Sequence, residues 1–131
     1  MKKILQFFKQ CPAFSAISLR EDFLAPEAGS AAIVPDGGDE ILRRYTSGDV
    51  LGQFNIKLLL REGFTGEAGQ FFEMLSDWIE EGGTPLPELG GNKTAQYVEV
   101  VEGPKLIKTE VGAGIYEMKF RLVYYRKGVT V

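Results

Sequence analysis

The sequence predicts an α+β fold, in which an antiparallel or mixed β-sheet carries about two helices on one face. Two stretches of the chain alternate between apolar and polar residues, which is the period of a strand with one buried side. A third stretch repeats its apolar residues every three or four positions, which is the period of an amphipathic helix. The length of 131 residues suits one domain, residues 1–131, with a single hydrophobic core.

The two alternating stretches are residues 50–61 and 115–127. Residues 41–46 and 50–61 flank Ser47-Gly48-Asp49, and a three-residue connection with a glycine is typical of a β-hairpin. Both strands of the hairpin are therefore expected in the same sheet. The side chains expected on the buried face of the two alternating strands are Phe54, Ile56, Leu58, Leu60, Tyr116, Met118, Phe120, Leu122 and Tyr124.

Two shorter apolar segments, residues 96–102 and 105–110, are predicted as further strands. Residues 111–114 contain two glycines and are expected to join the second segment to the last strand as another hairpin. Upstream of them, Pro85 and Pro87 favour an extended connection without regular structure.

Weaker signals precede the first hairpin. Residues 17–19 and 31–34 are predicted as brief strands or extended loop. Pro35-Asp36-Gly37-Gly38 follows, and this combination of proline, aspartate and glycine is typical of a turn. We therefore expect the chain to leave the sheet at this point, before the hairpin begins.

Two amphipathic helices are predicted. The first repeats apolar residues at helical spacing near the N-terminus until Pro12 stops it. The second begins at Thr65, a residue type that caps helix N-termini, and ends at Gly82-Gly83. Its aromatic stripe is large enough to cover a sheet, because each aromatic side chain buries roughly 150 to 250 Å². The apolar residues are Ile4, Leu5, Phe8 and Cys11 in the first helix, and Ala68, Phe71, Phe72, Leu75, Trp78 and Ile79 in the second.

The composition disfavours nucleic-acid and membrane partners. The chain has 15 Lys and Arg against 18 Asp and Glu, a net charge of -3, whereas a nucleic-acid surface needs a basic field. No apolar run is longer than that of residues 31–34, whereas a membrane-spanning helix needs about 20 apolar residues. The single cysteine, Cys11, cannot form an intrachain disulfide, and its place on an apolar helix face predicts a packing role. We expect synthesis in the cytosol.

The residue chemistry predicts no catalytic, cofactor or metal site. The chain contains no histidine, the commonest general base and metal ligand. Asp36, Asp39 and Glu40 could bind a divalent cation, but they lack the spacing of a calcium loop, which favours a solvated turn. Residues 90–94 superficially resemble a phosphate-binding loop, but Asn92 stands where that loop needs a glycine before the lysine.

Protein-interface residues are the remaining candidates. Lys119 and Arg121 face away from the buried side of the last strand, either as a solvated face or as part of an interface continued by Val123 and Tyr125. Residues 35–40 and 83–94 are candidate contact loops, because rigid scaffolds usually present recognition on loops. The candidate interface residues are Asp36, Asp39, Glu40, Leu89, Asn92, Lys93, Lys119, Arg121 and Tyr125.

Short motifs spread over nearly the whole chain carry a resemblance to a known family. The motifs are Cys11-Pro12 after the first helix, Arg44-Tyr45, Gly48, Leu51, Gln53-Phe54, Asp77-Trp78-Ile79-Glu80-Glu81, Leu86-Pro87-Glu88-Leu89-Gly90, Lys93-Thr94-Ala95-Gln96, Arg121-Leu122 and Tyr124-Tyr125. With these motifs the chain resembles small prophage proteins of long-tailed, non-contractile phages, encoded near the genes for the head-tail junction and the major tail protein. Within that family it resembles the tail terminator or tail-completion group.

The resemblance implies a structural, non-enzymatic role. Copies of the chain would form a ring, expected to be a hexamer, that caps the growing tail tube and meets the head-tail connector. The implied partners are the chain itself, the major tail protein and the connector protein, at the head-tail junction of the virion and in the host cytoplasm during assembly. One alternative is a head-completion or stopper protein. An alternative of another class is a small ligand- or metal-binding enzyme module that uses Asp and Glu.

Overall fold

One five-stranded mixed sheet forms the framework of the protein, and the prediction of an α+β fold is confirmed. The computed structural model describes residues 2–63, 66–82 and 85–128. The strands stand in the order β1-β2-β3-β5-β4. Their bounds are Ser18–Glu21 for β1, Ser30–Arg44 for β2, Val50–Glu62 for β3, Lys93–Glu110 for β4 and Ala113–Arg126 for β5.

Two long hairpins make up most of the sheet. β2 and β3 are antiparallel, with Tyr45 N–H bonded to Asp49 C=O at the turn, which confirms the hairpin predicted around Ser47-Gly48-Asp49. β4 and β5 form the second antiparallel hairpin, and β3 pairs with β5 at the centre of the sheet. The short strand β1 adds to β2 in parallel, so the sheet is mixed.

In the part of the chain that the structure describes, two α-helices and one 3₁₀ turn pack on one face of this sheet. The first helix, α1, spans Lys2–Lys9, and a 3₁₀ turn, Pro12–Phe14, follows it. The second helix, α2, spans Glu67–Glu81 and ends at Gly82, whose φ of 63° is a left-handed conformation that glycine adopts without strain. Within the described residues, neither helix has the length and apolar character needed to cross a bilayer.

The core lies between these helices and the central strands. We call this side of the sheet the helix face and the opposite side the outer face. The predicted alternation is confirmed, since Ile56, Leu58 and Leu60 of β3 are fully buried beneath the helices. Aromatic side chains join the two layers: the ring centroids of Phe8 and Phe120 lie 5.3 Å apart, and those of Phe72 and Tyr116 lie 6.2 Å apart.

The predicted turn at Pro35-Asp36-Gly37-Gly38 is wrong. β2 runs through these residues as one strand, and the register with β3 shifts between Pro35 and Asp39. The same residues that favour a turn also suit a bulge, because Gly37 has a φ of 89°. Residues 31–34 and 41–46, predicted as separate segments, therefore belong largely to one strand, which ends at Arg44.

The predicted break between residues 96–102 and 105–110 is also wrong. β4 continues through Gly103-Pro104, with register shifts between Val100 and Glu102, between Glu102 and Lys105, and between Leu106 and Lys108. Proline is tolerated here because β4 is an edge strand. On the open edge a residue without an N–H group costs no hydrogen bond to a neighbouring strand. The predicted cap Thr65 and the glycine at position 83 lie outside the described residues.

Candidate functional site

The predicted interface cations lie on the outer face and are paired there with carboxylates. Lys119 Nζ is 3.5 Å from a carboxylate oxygen of Glu102, and 3.9 Å from one oxygen each of Asp36 and Glu117. Arg121 Nε donates to Glu99 of the neighbouring strand β4. Lys119 and its three partners thus form one network, with Lys57 also 4.0 Å from Glu117. These charges neutralise one another instead of offering an unpaired basic surface.

Val123 does not form part of an exposed surface, so its predicted contribution to an outward interface is wrong. Only 1% of its surface is exposed, although it lies on the outer face opposite Gln53 of β3. Gln53 is itself buried, and its Nε2 donates to Glu40 at 2.8 Å. Its Oε1 is buried without a hydrogen-bond partner among the described residues. Side chains on the outer face therefore bury one another, although the core helices pack on the other side.

A second cluster lies on the helix face, where the structure brings together two predicted interface residues from distant parts of the sequence. Lys93 Nζ is 3.7 Å from Asp39 Oδ2 and 5.0 Å from the centroid of the Tyr124 ring. The Tyr124 hydroxyl donates to Asp39 at 3.3 Å. Burial raises the pKa of Tyr124, and the adjacent charge of Asp39 raises it further. We call Asp39, Lys93 and Tyr124 the cross-strand cluster.

Gly52 makes room for the cross-strand cluster. Tyr124 reaches over Gly52 of β3 to meet Asp39 of β2, and a Cβ atom at Gly52 would lie 2.5 Å from Cζ of the ring. Real Cβ atoms essentially never approach another atom so closely, so a larger residue would displace the ring. The motif around Gly52 predicted a strand, but no sequence pattern indicated this close contact.

The connection before β4 is held by its own backbone and by the end of β5. Asn92 Nδ2 donates to the backbone carbonyl of Lys127, and the Lys127 N–H donates back to the Asn92 carbonyl at 3.0 Å. Leu89 is half-buried and packs against the core. Leu89, Asn92 and Lys93 thus lie along one anchored connection. Asn92 itself contacts Lys127, directly after β5, and not the cross-strand cluster.

Tyr125 is hydrogen-bonded to the β2–β3 turn. Its hydroxyl donates to Asp49, and the Gly128 N–H donates to the same carboxylate at 2.6 Å. The hydrogen bond from Tyr125 is the main reason that the pKa of Asp49 is lowered, and the same bond raises the pKa of Tyr125. Sequence reasoning placed Asp49 only in the turn and did not predict these hydrogen bonds to Tyr125 and Gly128.

The three acidic residues considered as a metal site do not converge. Asp36 faces Lys119, Asp39 faces Lys93, and Glu40 accepts a hydrogen bond from Gln53. Asp39 and Glu40 thus pair with groups on opposite faces of the sheet. In residues 2–63, 66–82 and 85–128, no three carboxylate or thiol groups lie close enough together to hold a metal ion.

Cys11 is buried in the core beside the helices, which confirms its predicted packing role. Desolvation by burial raises the pKa of its thiol, and a hydrogen bond from the Ala13 backbone opposes this increase. A raised pKa lowers the fraction of reactive thiolate at neutral pH.

A groove of about 620 Å³ lies beside the edge strand β4. α2 contributes Trp78 and Ile79 to one wall, and β4 contributes Val98 and Val100 to the other. Phe7 of α1 lies at its base, where its ring centroid is 5.0 Å from that of Trp78. We call this cavity the α2–β4 groove.

The sheet also exposes apolar residues along two unpaired edges. β4 pairs only with β5, and its other edge is open along the described strand. On the opposite side, β1 covers β2 only as far as Ile33, so among the described residues the remainder of β2 pairs with β3 alone. Large apolar residues are exposed on both open edges: Ile41 and Leu42 on β2, and Tyr97, Val101, Leu106 and Ile107 on β4.

Sequence reasoning did not identify these edges, although a signal was present. Val100-Val101 and Leu106-Ile107 are adjacent apolar pairs in a predicted strand. Successive side chains of a strand point to opposite faces, so each pair must place an apolar residue away from a one-sided core. Ile41-Leu42 has the same property.

Comparison of the chain with models of known protein families finds no family that matches, and a search of curated proteins finds no match either.

Proposed function

We propose that this protein is a structural component of the head-tail junction of a long-tailed phage or prophage. Copies of the chain would form a ring that terminates the tail tube and joins it to the head. The motifs by which the chain resembles tail terminator proteins support this proposal from the sequence. The structural observation that carries it is the pair of open, apolar sheet edges on opposite sides of one sheet.

A ring needs two different adhesive surfaces on each subunit, because head-to-tail contacts repeat around a rotation axis until they close. The open edge of β4 and the open part of β2 differ in sequence and lie on opposite sides of the sheet. An open strand edge with exposed apolar side chains is a strong template for pairing with another chain. The two edges therefore support association in a head-to-tail manner.

The proposed mechanism is arrest of polymerisation. One face of the ring would reproduce the docking surface of the tail tube, so that it binds the last tube ring. The other face would offer contacts for the connector instead of another tube site. The connection of residues 85–92 is a candidate for such contacts, because it is anchored at Asn92 and is largely exposed.

The first test is native mass spectrometry of the purified protein over a range of concentrations, with and without purified tail tubes. We expect a closed ring, and a hexamer is the expected stoichiometry. A protein that stays monomeric both alone and with tubes would contradict the proposal.

The second test separates a terminator from a stopper. The protein is added to polymerising major tail protein, and tube lengths are measured by electron microscopy. A terminator arrests elongation and remains at one tube end. A head-completion protein would bind the connector ring but leave tube length unchanged.

A charge-reversed variant, Asp39→Lys with Glu40→Lys, tests the contact role that the sequence assigns to the acidic segment of β2. Wild-type capping and joining by this variant would remove that segment from the proposed contacts. Thermal melting must accompany the assay, because Asp39 also belongs to the cross-strand cluster.

A further inference from the structure

We propose that the α2–β4 groove receives strand β2 of a second copy of this chain. In this arrangement Ile41 of one copy lies in the groove of the next, and the open edges of β2 and β4 pair as antiparallel strands. The inference rests on the proposed ring and specifies the contact that closes it.

The groove has the features of a site that accepts an added strand. Its wall on the sheet side is β4, whose backbone is unpaired on that edge. Its other wall is the C-terminal half of α2, with Trp78 and Ile79 exposing part of their apolar surface. Strand addition uses such an arrangement, because backbone hydrogen bonds supply affinity while a pocket accepts alternate side chains.

Ile41 is the side chain that this groove requires. It pairs with Gly52, which lies on the helix face beneath the Tyr124 ring, so Ile41 is directed to the helix face as well. Nevertheless 44% of its surface is exposed, because it lies outside the core that the helices cover. An added strand needs an apolar residue on this face to reach Trp78 and Val98.

The strand directions agree with this contact. β2, β3, β5 and β4 are successively antiparallel, so β4 runs opposite to β2. A second copy in the same orientation would therefore present its β2 to β4 as an antiparallel neighbour. Subunits related by a rotation axis that is roughly parallel to the strands keep this orientation.

The heights along the sheet agree for the first half of β4. β1 of the added copy lies beside Ser30 to Ile33, at the height of the second half of β4, so the pairing is confined to the first half and the two sheets diverge beyond it. The register carries Ile41 across Gly52 and Tyr124 to Ala95 of β4, and it carries Asp39 to Val98. An added copy at equal height thus places Ile41 beside Ala95, and a shift of roughly two residues brings it to the groove at Val98. The same shift separates Arg44 from Lys93, which would otherwise lie at the same height.

The two halves of β4 differ in their suitability for pairing. The second half contains Gly103-Pro104, Lys105 and Lys108, and three register shifts fall between Val100 and Lys108. Proline, lysine and bulges are the devices by which edge strands resist pairing. The stretch Lys93 to Val100 has a single shift, between Ala95 and Tyr97, and it is the stretch that borders the groove.

Cysteine cross-linking tests the contact directly. Ile41→Cys is combined with Ala95→Cys, Val98→Cys or Val100→Cys in three double variants, so that neighbouring registers are covered. Two strands separate β2 from β4, about 14 Å, so a disulfide within one chain is excluded. We expect at least one oxidised double variant to give a ladder of covalent oligomers up to the full ring on a denaturing gel.

Single cysteine variants provide the control for direction. An equal mixture of Ile41→Cys and the matching β4 variant should give covalent dimers only, because each link uses one thiol from each variant. A covalent dimer from either single variant alone would indicate a different contact. Cys11 is buried and is present in every sample.

The second measurement is the stability of the ring. Ile41→Glu should raise the subunit dissociation constant by at least about tenfold, since a carboxylate would replace the apolar contact with Trp78 and Val98 in a groove that Glu80 and Glu99 also line. The matched control is Met74→Glu on α2, a comparably exposed apolar residue that the contact does not use. Thermal melting of the monomeric state verifies that both variants fold.

The outcomes distinguish this contact from the proposed function. A ring that forms normally with Ile41→Glu and gives no cross-link in any register overturns the contact and leaves the ring in place. The groove would then be open to an extended segment of another protein. A wild-type chain that forms no ring, alone or with tail tubes, overturns both proposals.

Discussion

The two faces of the sheet are completed in different ways. On the helix face, apolar side chains of β3 and β5 are buried beneath α1 and α2. On the outer face, lysines and arginines meet carboxylates from neighbouring strands, and the side chains shield one another. The comparison indicates that the folding energy comes mainly from the helix face, because apolar burial contributes more than partly exposed ion pairs.

The largest expected effect is therefore a cavity on the helix face. Leu75→Ala on α2 removes a fully buried side chain from the core, which should lower the free energy of unfolding by about 3 kcal/mol. The control is Met74→Ala, whose side chain is half exposed on the same helix and whose loss should cost under about 0.5 kcal/mol. Urea denaturation of both variants measures the difference. Equal costs would contradict the assignment of the core to this face.

A smaller effect is expected where the helix face changes from apolar to polar. Gly52→Ala would displace the Tyr124 ring and weaken its bond to Asp39, at a cost of about 1 to 3 kcal/mol. The clash is absent if the ring is absent, so the same substitution should cost much less in a Tyr124→Leu background. A double-mutant cycle by urea denaturation measures this coupling. Additive costs would show that Tyr124 does not depend on Gly52.

The sequence predicted the helix face well and the outer face poorly, for a physical reason. Alternation in β3 and β5 and the apolar stripe of α2 indicate burial directly, since a strand or helix with one buried face repeats its apolar residues at a regular spacing. Which carboxylate pairs with Lys119 of β5 depends on the strand order. Its partner Asp36 comes from β2, beyond β3, and its partner Glu102 comes from β4, on the other side of β5 in that order. No local pattern in the sequence contains that order.

Bulges explain the errors in the strand boundaries. Proline and glycine at Pro35-Asp36-Gly37-Gly38 and at Gly103-Pro104 were interpreted as breaks, but both segments lie inside long strands, at places where one edge of the strand is open. At an edge, a residue that cannot donate a hydrogen bond costs little, and an extra residue bends the strand without ending it. Local sequence alone does not distinguish a turn from such an irregularity.

One carboxylate on the outer side should make a pH-dependent contribution. Asp49 accepts hydrogen bonds from Tyr125 and Gly128, and its pKa is lowered from 3.8. A group with a lowered folded-state pKa stabilises the fold above its unfolded-state pKa, and this contribution is lost as the pH falls through the folded-state value. Asp49→Asn should therefore destabilise the protein at pH 7, and the difference from wild type should shrink below a pH of about 3.8.

Thermal melting at pH 7 and at a pH below about 3.8 measures this effect. Tyr125→Phe removes the main donor to Asp49 and should reduce the pH dependence in the same direction. Tyr97→Phe alters an exposed tyrosine on β4 and serves as the control. A constant difference between Asp49→Asn and wild type at all pH values would show that the carboxylate charge is not responsible.

The smallest effect is expected for the ion pair between Arg121 and Glu99, which completes the outer face at the edge strand. Both side chains are more than a third exposed, so water and salt screen their charges. Glu99→Gln should cost under about 1 kcal/mol, and added sodium chloride should reduce that cost further. A double-mutant cycle with Arg121→Gln isolates the pair. A coupling energy that equals the Leu75→Ala effect and resists salt would remove the energetic distinction between the two faces, because the outer face would then hold the fold together as strongly as the core.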